Sequence, residues 1–170
     1  FQTLWLDPRT SRGILGFLAA RQARERSSFR DSGPGKILHE ARKGEMSRLE
    51  EVPFAGYFGG VDSTPLFVML AGAYLDRTDD LAFVEGLWPH LERALAWIED
   101  ARARGQNPVF LEYMREEASG IRNQGWKDSD DAVFHADGRL AEGPVALVEV
   151  QAYVFGALRA AARIAERLGH

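Results

Sequence analysis

The stretch Asp62-Ser63-Thr64-Pro65-Leu66-Phe67-Val68-Met69-Leu70-Ala71-Gly72-Ala73-Tyr74 decides the fold. Its first three side chains are natural helix caps, and Pro65 suits the first turn of a helix. Leu66, Phe67, Met69, Leu70, Ala73 and Tyr74 then spread around the helix rather than along one stripe. A helix that is apolar all round is usually buried. This segment therefore reads as a core helix, and other helices must surround it.

Those neighbours are legible on both sides. Downstream, Phe83, Val84, Leu87, Leu91, Leu95 and Ile98 recur at three- and four-residue steps, which predicts a helix from Asp79 to Arg104 with one buried stripe. Gly105 stops it, and Pro89 is expected to kink it or to split off a short first helix. A last helix is expected from Pro144 to Leu168, closing on Gly169. Upstream, Thr10 or Ser11 is expected to cap a helix running to Ser27. Two stretches break the pattern. Phe29 to Gly60 carries Gly33, Pro34, Gly35, Gly44, Pro53, Gly56, Gly59 and Gly60, and reads as irregular. Loops of that length in compact folds are functional or disordered, and Phe54, Tyr57 and Phe58 argue against disorder. Val109 to Met114 suits a small strand or an extended segment. Gly120 to Ala136 is polar and irregular, and Asp137-Gly138 makes a turn. The expected fold class is all-α: helical hairpins with long loops at one end.

Composition narrows the function. The chain has 170 residues, 45% of them apolar and 27% charged, which suits a globular protein with its own core. Its net charge of −4 and scattered basic residues speak against a nucleic-acid surface. There is no cysteine, so disulfides and thiolate metal sites are excluded. The absence fits a reducing compartment, and the cytoplasm is the expected location. No segment is long and apolar enough to span a membrane. The chain begins at Phe1 rather than Met, so a native N-terminus is expected upstream.

Four clusters carry chemistry. Asn123-Gln124-Gly125-Trp126-Lys127-Asp128-Ser129-Asp130-Asp131 gathers an aromatic, a cation, two amides and three carboxylates. Desolvation beside Trp126 raises the pKa of a carboxyl, and Lys127 lowers it. A general acid must stay protonated until it meets the leaving oxygen. The plain alternative is a polar loop. In the second cluster, Tyr57 to Pro65, Asp62 sits where a loop meets the core helix, as a cap, a ligand group or both. The third, Pro144 to Tyr153, places Glu149 and Gln151 in an apolar helix, where each must be paired, face a cavity or point to solvent. The fourth is His39-Glu40 with Arg42. The four histidines lack ligand spacing, so no metal site is expected, and nothing implies an organic cofactor.

Read together, these stretches resemble the bacterial glycogen-debranching, amylo-alpha-1,6-glucosidase-like proteins of the six-hairpin glycosidase superfamily. The resemblance lies in His39-Glu40-Ala41-Arg42, in YFGGVDSTPLF (57–67), in FLEYMR (110–115), in NQGWKDSDDA (123–132) and in GPVALVEVQAY (143–153). It covers nearly the whole chain. It implies that residues 1–170 form part, about half, of an (α/α)6 barrel. It implies an inverting glycoside hydrolase acting on alpha-glucans or alpha-glucosides, with Asp128 as general acid. Asp62, Trp126, Lys127, Glu149 and Gln151 would grip the terminal sugar, and Glu40 and Arg42 would sit with His39 on a loop over the pocket. The base is expected outside this chain, and the isolated piece is expected to be inactive. An open barrel edge would invite self-association. The rival reading is a noncatalytic helical-hairpin module for binding or assembly. Convergence of Asp62, Trp126, Asp128 and Glu149 on one cavity separates the two.

Overall fold

The computed structural model describes residues 1–127 and 129–170. Among them are five α-helices: α1 (Pro8–Ala20), α2 (Glu45–Arg48), α3 (Ser63–Thr78), α4 (Leu81–Arg104) and α5 (Val148–Leu168). Extended backbone is limited to isolated antiparallel bridges among the described residues. The chain is all-α, with four long helices and one single turn.

The core helix reads as expected. Phe67, Val68, Leu70, Ala71, Tyr74 and Leu75 of α3 are buried, and α1, α4 and α5 all pack against it. Each such side chain contributes about 1.5–3 kcal/mol when fully withdrawn from water. The stripe on α4 is also present, with Val84, Leu87, Leu91, Ala94 and Ile98 buried. Pro89 does not split off a short first helix, because α4 is continuous through it. Pro89 and Glu85 both lie on the exposed side, so the carbonyl that loses its intrahelical partner can meet water.

Three helix boundaries depart from the sequence reading. Helix α1 starts earlier, at Pro8, where Asp7 accepts a hydrogen bond from the Arg9 amide at 3.0 Å. It also stops earlier, at Ala20. The backbone beyond it turns to pair with residues 35 and 36, through Ala23 N–H to Lys36 O at 3.0 Å and Gly35 N–H to Ala23 O at 2.8 Å. Gly35 is needed there. Its φ is +89°, and a Cβ would stand 2.0 Å from the Arg93 carbonyl oxygen. Helix α5 starts later than Pro144, because Val145 exchanges two backbone hydrogen bonds with Tyr113, at 2.9 and 3.0 Å. In the last two cases tertiary pairing overrides helix propensity.

Side-chain pairs fix the helix directions. Met69 lies against Gly156, Gly72 against Ala160, Asp76 pairs with Arg163 at 3.0 Å, and Asp79 pairs with Arg167. Both numbers rise together, so α3 and α5 run parallel. Arg12 pairs with Asp80 at 3.4 Å, and Gln22 reaches the His90 carbonyl at 2.9 Å. Hence α1 and α4 run together, opposite to α3 and α5. A tight turn joins α3 to α4, with the Tyr74 hydroxyl donating to Asp80 at 2.7 Å. Both long connections therefore lie at the other end, where α3 and α5 begin. There a second cluster of Val61, Trp97, Ile98, Leu111, Tyr113, Val150 and Val154 seals the helices against the loops. On the outer side of α5, Val148, Ala152, Phe155 and Leu158 are exposed.

The parallel pair depends on a close approach. A Cβ added at Gly72 would stand 2.7 Å from the Ala160 Cβ, with no flexible tip to yield. Gly72→Val is expected to destabilise by about 1–3 kcal/mol, as overpacking does. Each kcal/mol lowers the melting temperature by about 2–4 °C in a domain of roughly this size. Thermal unfolding by circular dichroism checks this, and an unchanged melt would count against the tight crossing.

Candidate functional site

The irregular segments at the loop end are tied by one buried carboxylate. Asp31 accepts the Tyr57 hydroxyl at 2.6 Å and the Gln124 amide at 3.2 Å on one oxygen, and the Glu116 backbone amide at 3.1 Å on the other. The Tyr57 oxygen in turn accepts the Ile121 amide at 2.9 Å. Burial, then the hydrogen bond to Asp31, pushes the Tyr57 pKa well above its ordinary value. Asp31 holds a left-handed backbone with φ of 50°, a conformation Asp tolerates better than most residues. The knot joins the 21–36, 40–60 and 112–124 segments and delivers the chain to Gly125-Trp126-Lys127. Beside it, Lys36 donates to the Asp31 carbonyl at 2.8 Å and lies 5.4 Å from the Trp97 ring centre. Burial pushes the Lys36 pKa down to about 8.

The ionisable centre lies where α3 and α5 begin. Asp62 is the residue before α3 and is buried, 8% exposed. Its side chain makes no capping hydrogen bond to α3. Burial raises its pKa. The nearby His39 pulls it down, as do the backbone amides of Asp62 and Ser63, while Glu149 of α5 pushes it up. His39 and Glu149 are thus each within electrostatic reach of Asp62. Gly60 makes room for this, since a Cβ there would stand 2.6 Å from His39 Nδ1 and 2.8 Å from Ser63 Oγ. Glu149 also faces Tyr113, whose pKa is raised first by burial and further by that carboxylate. The Tyr113 hydroxyl donates to Asn123 at 2.7 Å, and the Val61 amide donates to the Gln124 carbonyl at 2.9 Å. The 123–127 strip is therefore fastened directly beside Asp62.

The residues singled out from sequence divide into three groups. Glu149 lies within electrostatic reach of Asp62, and Lys127 shares with Glu149 a cleft of about 480 Å³ whose lining does not include Asp62. Trp126 is largely exposed, with Lys127 Nζ 5.6 Å from its ring centre. A second group serves the scaffold. Gln151 accepts the Leu111 amide and donates to the Leu111 and Leu147 carbonyls, each at 2.9 Å, so it fastens the 111 segment to α5. Glu40 and Arg42 pair with each other, and Arg42 lies 4.3 Å from the Phe54 ring centre. Asp128 lies outside the described residues. Sequence reasoning passed over Asp31 altogether. Nothing in Phe29-Arg30-Asp31-Ser32 marks that carboxylate as buried, because its partners are remote in the chain. Tyr57 left a fainter trace, as an aromatic in a glycine-rich loop.

No family model matches the chain, and no curated protein matches it. Among the described residues, no group of three or more His, Asp or Glu side chains is placed to hold a metal ion. The chemistry within reach is that of the Glu149 carboxyl and the Lys127 ammonium in an open cleft, with the buried Asp62 within electrostatic reach of Glu149: hydrogen bonding to a polar ligand.

The raised pKa of Asp62 has a stability consequence. The folded chain binds this proton more tightly than the unfolded chain. Ionised Asp62 therefore costs stability above its folded pKa, and the cost is absent below the unfolded pKa. Asp62→Asn is expected to melt higher than the parent at about pH 7, with the gain vanishing near about pH 3. A variant that melts lower at neutral pH would mean that the attraction of His39 outweighs burial.

Proposed function

We propose that this chain is part of the catalytic domain of a glycoside hydrolase acting on alpha-glucans or alpha-glucosides, of the amylo-alpha-1,6-glucosidase kind, built on an (α/α)6 barrel. The observation that carries the reading is that His39 and Glu149 each lie within electrostatic reach of the buried Asp62, where two parallel helices begin, with Lys127 and Glu149 lining one cleft. A terminal sugar needs such a set, because its hydroxyls both donate and accept. The alternation of helix directions supports the same reading. Parallel α3 and α5 fit the inner ring of a barrel of hairpins, with α1 and α4 outside. The apolar outer side of α5 would then meet the next hairpin or a second copy of the chain.

In this mechanism Asp128 protonates the glycosidic oxygen as the bond breaks. A second carboxylate, supplied from outside residues 1–170, activates water on the opposite face. Inversion needs those two carboxyls about 6.5–9.5 Å apart, to seat the water between them. Asp62 and Glu149 accept from sugar hydroxyls. Lys127 donates from the other wall.

The test is hydrolysis by the full-length protein, with and without Asp128→Asn, on isomaltose, panose, limit dextrin, trehalose and an aryl rhamnoside. Glucose release from the alpha-glucans is expected, falling by about 10²–10⁴-fold in the variant, the usual range for loss of a general acid. Activity confined to trehalose or the rhamnoside would reassign the linkage. Equal activity in both proteins would remove Asp128 from the mechanism. Complete inactivity of well-folded protein would favour the binding or assembly module. For the isolated chain, light scattering at rising concentration is expected to report a mass above the monomer. A constant monomer mass would remove self-association through α5.

A further inference from the structure

A small rigid hairpin stands on the rim of the cleft that holds Lys127 and Glu149. It runs from Val133 to Ala141 and is closed by His135 N–H to Arg139 O at 2.8 Å, Gly138 N–H to His135 O at 2.9 Å and Ala141 N–H to Val133 O at 3.0 Å. Asp137 and Arg139 pair across its tip at 2.7 Å. Phe134 lies on it, opposite Leu140, and is 63% exposed while lining the cleft. A large apolar ring held toward water by an ordered backbone is costly unless something covers it.

The cleft indicates the occupant. Its volume of about 480 Å³ lies within the range of ligand pockets. Lys127 donates and Glu149 accepts, so the walls offer both kinds of hydrogen bond, with opposite charges. An aromatic face beside paired polar groups suits a pyranose ring, whose C–H face stacks on the aromatic while its hydroxyl edge is hydrogen-bonded. Purely apolar ligands would strand Lys127 and Glu149, and a highly charged one would be repelled by one of them.

We propose that Phe134 is a stacking platform for a second sugar unit, next to the one gripped at Asp62, so that the site takes oligosaccharides in preference to disaccharides. This rests on the glycosidase reading for its first sugar, and it sets chain-length preference for that same site. The hairpin is ordered before ligand arrives, so stacking requires no rearrangement of the backbone.

The experiment uses the full-length protein, its Phe134→Ala and Phe134→Trp variants, and two probes: isomaltose and a branched maltoheptaose-length oligosaccharide. Phe134→Ala is expected to lose about ten-fold in kcat/KM on the longer probe, the equivalent of one good aromatic contact, and less than about two-fold on isomaltose. Phe134→Trp is expected to restore the preference. An equal loss on both probes, or none on either, overturns the platform. Calorimetric binding of the same two probes separates this idea from the glycosidase reading. If no variant hydrolyses either probe, tighter binding of the longer one by the parent, lost in Phe134→Ala, still supports the platform. Equal binding by parent and variant overturns it. Phe134 is exposed, so unchanged melting of both variants confirms that the comparison is between folded proteins.

Discussion

The packing of α3 on α5 is the constraint from which the rest of the architecture follows. Gly72 and Ala160 let the two backbones approach, and the ion pairs Asp76–Arg163 and Asp79–Arg167 follow the same register toward the turn end. Two parallel helices cannot be joined by a short link. The chain must return along the length of the bundle, and α4 makes that return. The long connections are thereby forced to the end where α3 and α5 begin. Asp62 and Glu149 come within electrostatic reach because they sit at corresponding ends of two helices that run the same way.

The second constraint is the Asp31 knot. The loop end has almost no regular hydrogen bonding, so its polar groups need other partners. Asp31 and Tyr57 supply them, taking a side-chain amide and two backbone amides between them. Gln124 is the member that matters for the site. Its side chain is in the knot and its carbonyl holds Val61, so one residue couples the buried anchor to the backbone beside Asp62.

The legible parts of the sequence were those governed by local pattern. The apolar run after Asp62 announces a core helix whatever surrounds it, and the stripe from Val84 to Ile98 announces its partner. Gly105 and Gly169 end their helices where a residue-by-residue reading places them. Boundaries failed where distant backbone competes. Ala23 leaves α1 to join Lys36, and Val145 stays extended to join Tyr113. The site was legible as a set of stretches but not as a division of labour. Asp62 and Gln151 look alike in sequence, each a polar residue among apolar ones. Only the fold shows that Asp62 makes no capping hydrogen bond to α3 while Gln151 is bound to Leu111 and Leu147.

The same knot sets an order of assembly. Its bonds span 64, 85 and 93 positions along the chain, whereas the α3–α4 turn is closed by a bond between residues six apart. Closing a long loop loses more chain entropy than closing a short one, and contacts remote in sequence form more slowly. The α3–α4 hairpin is therefore the natural early structure, and the loop end gains its shape only when all three of its segments have arrived. In kinetic terms the loop end is a late structure, settled by contacts that the helical hairpin does not wait for.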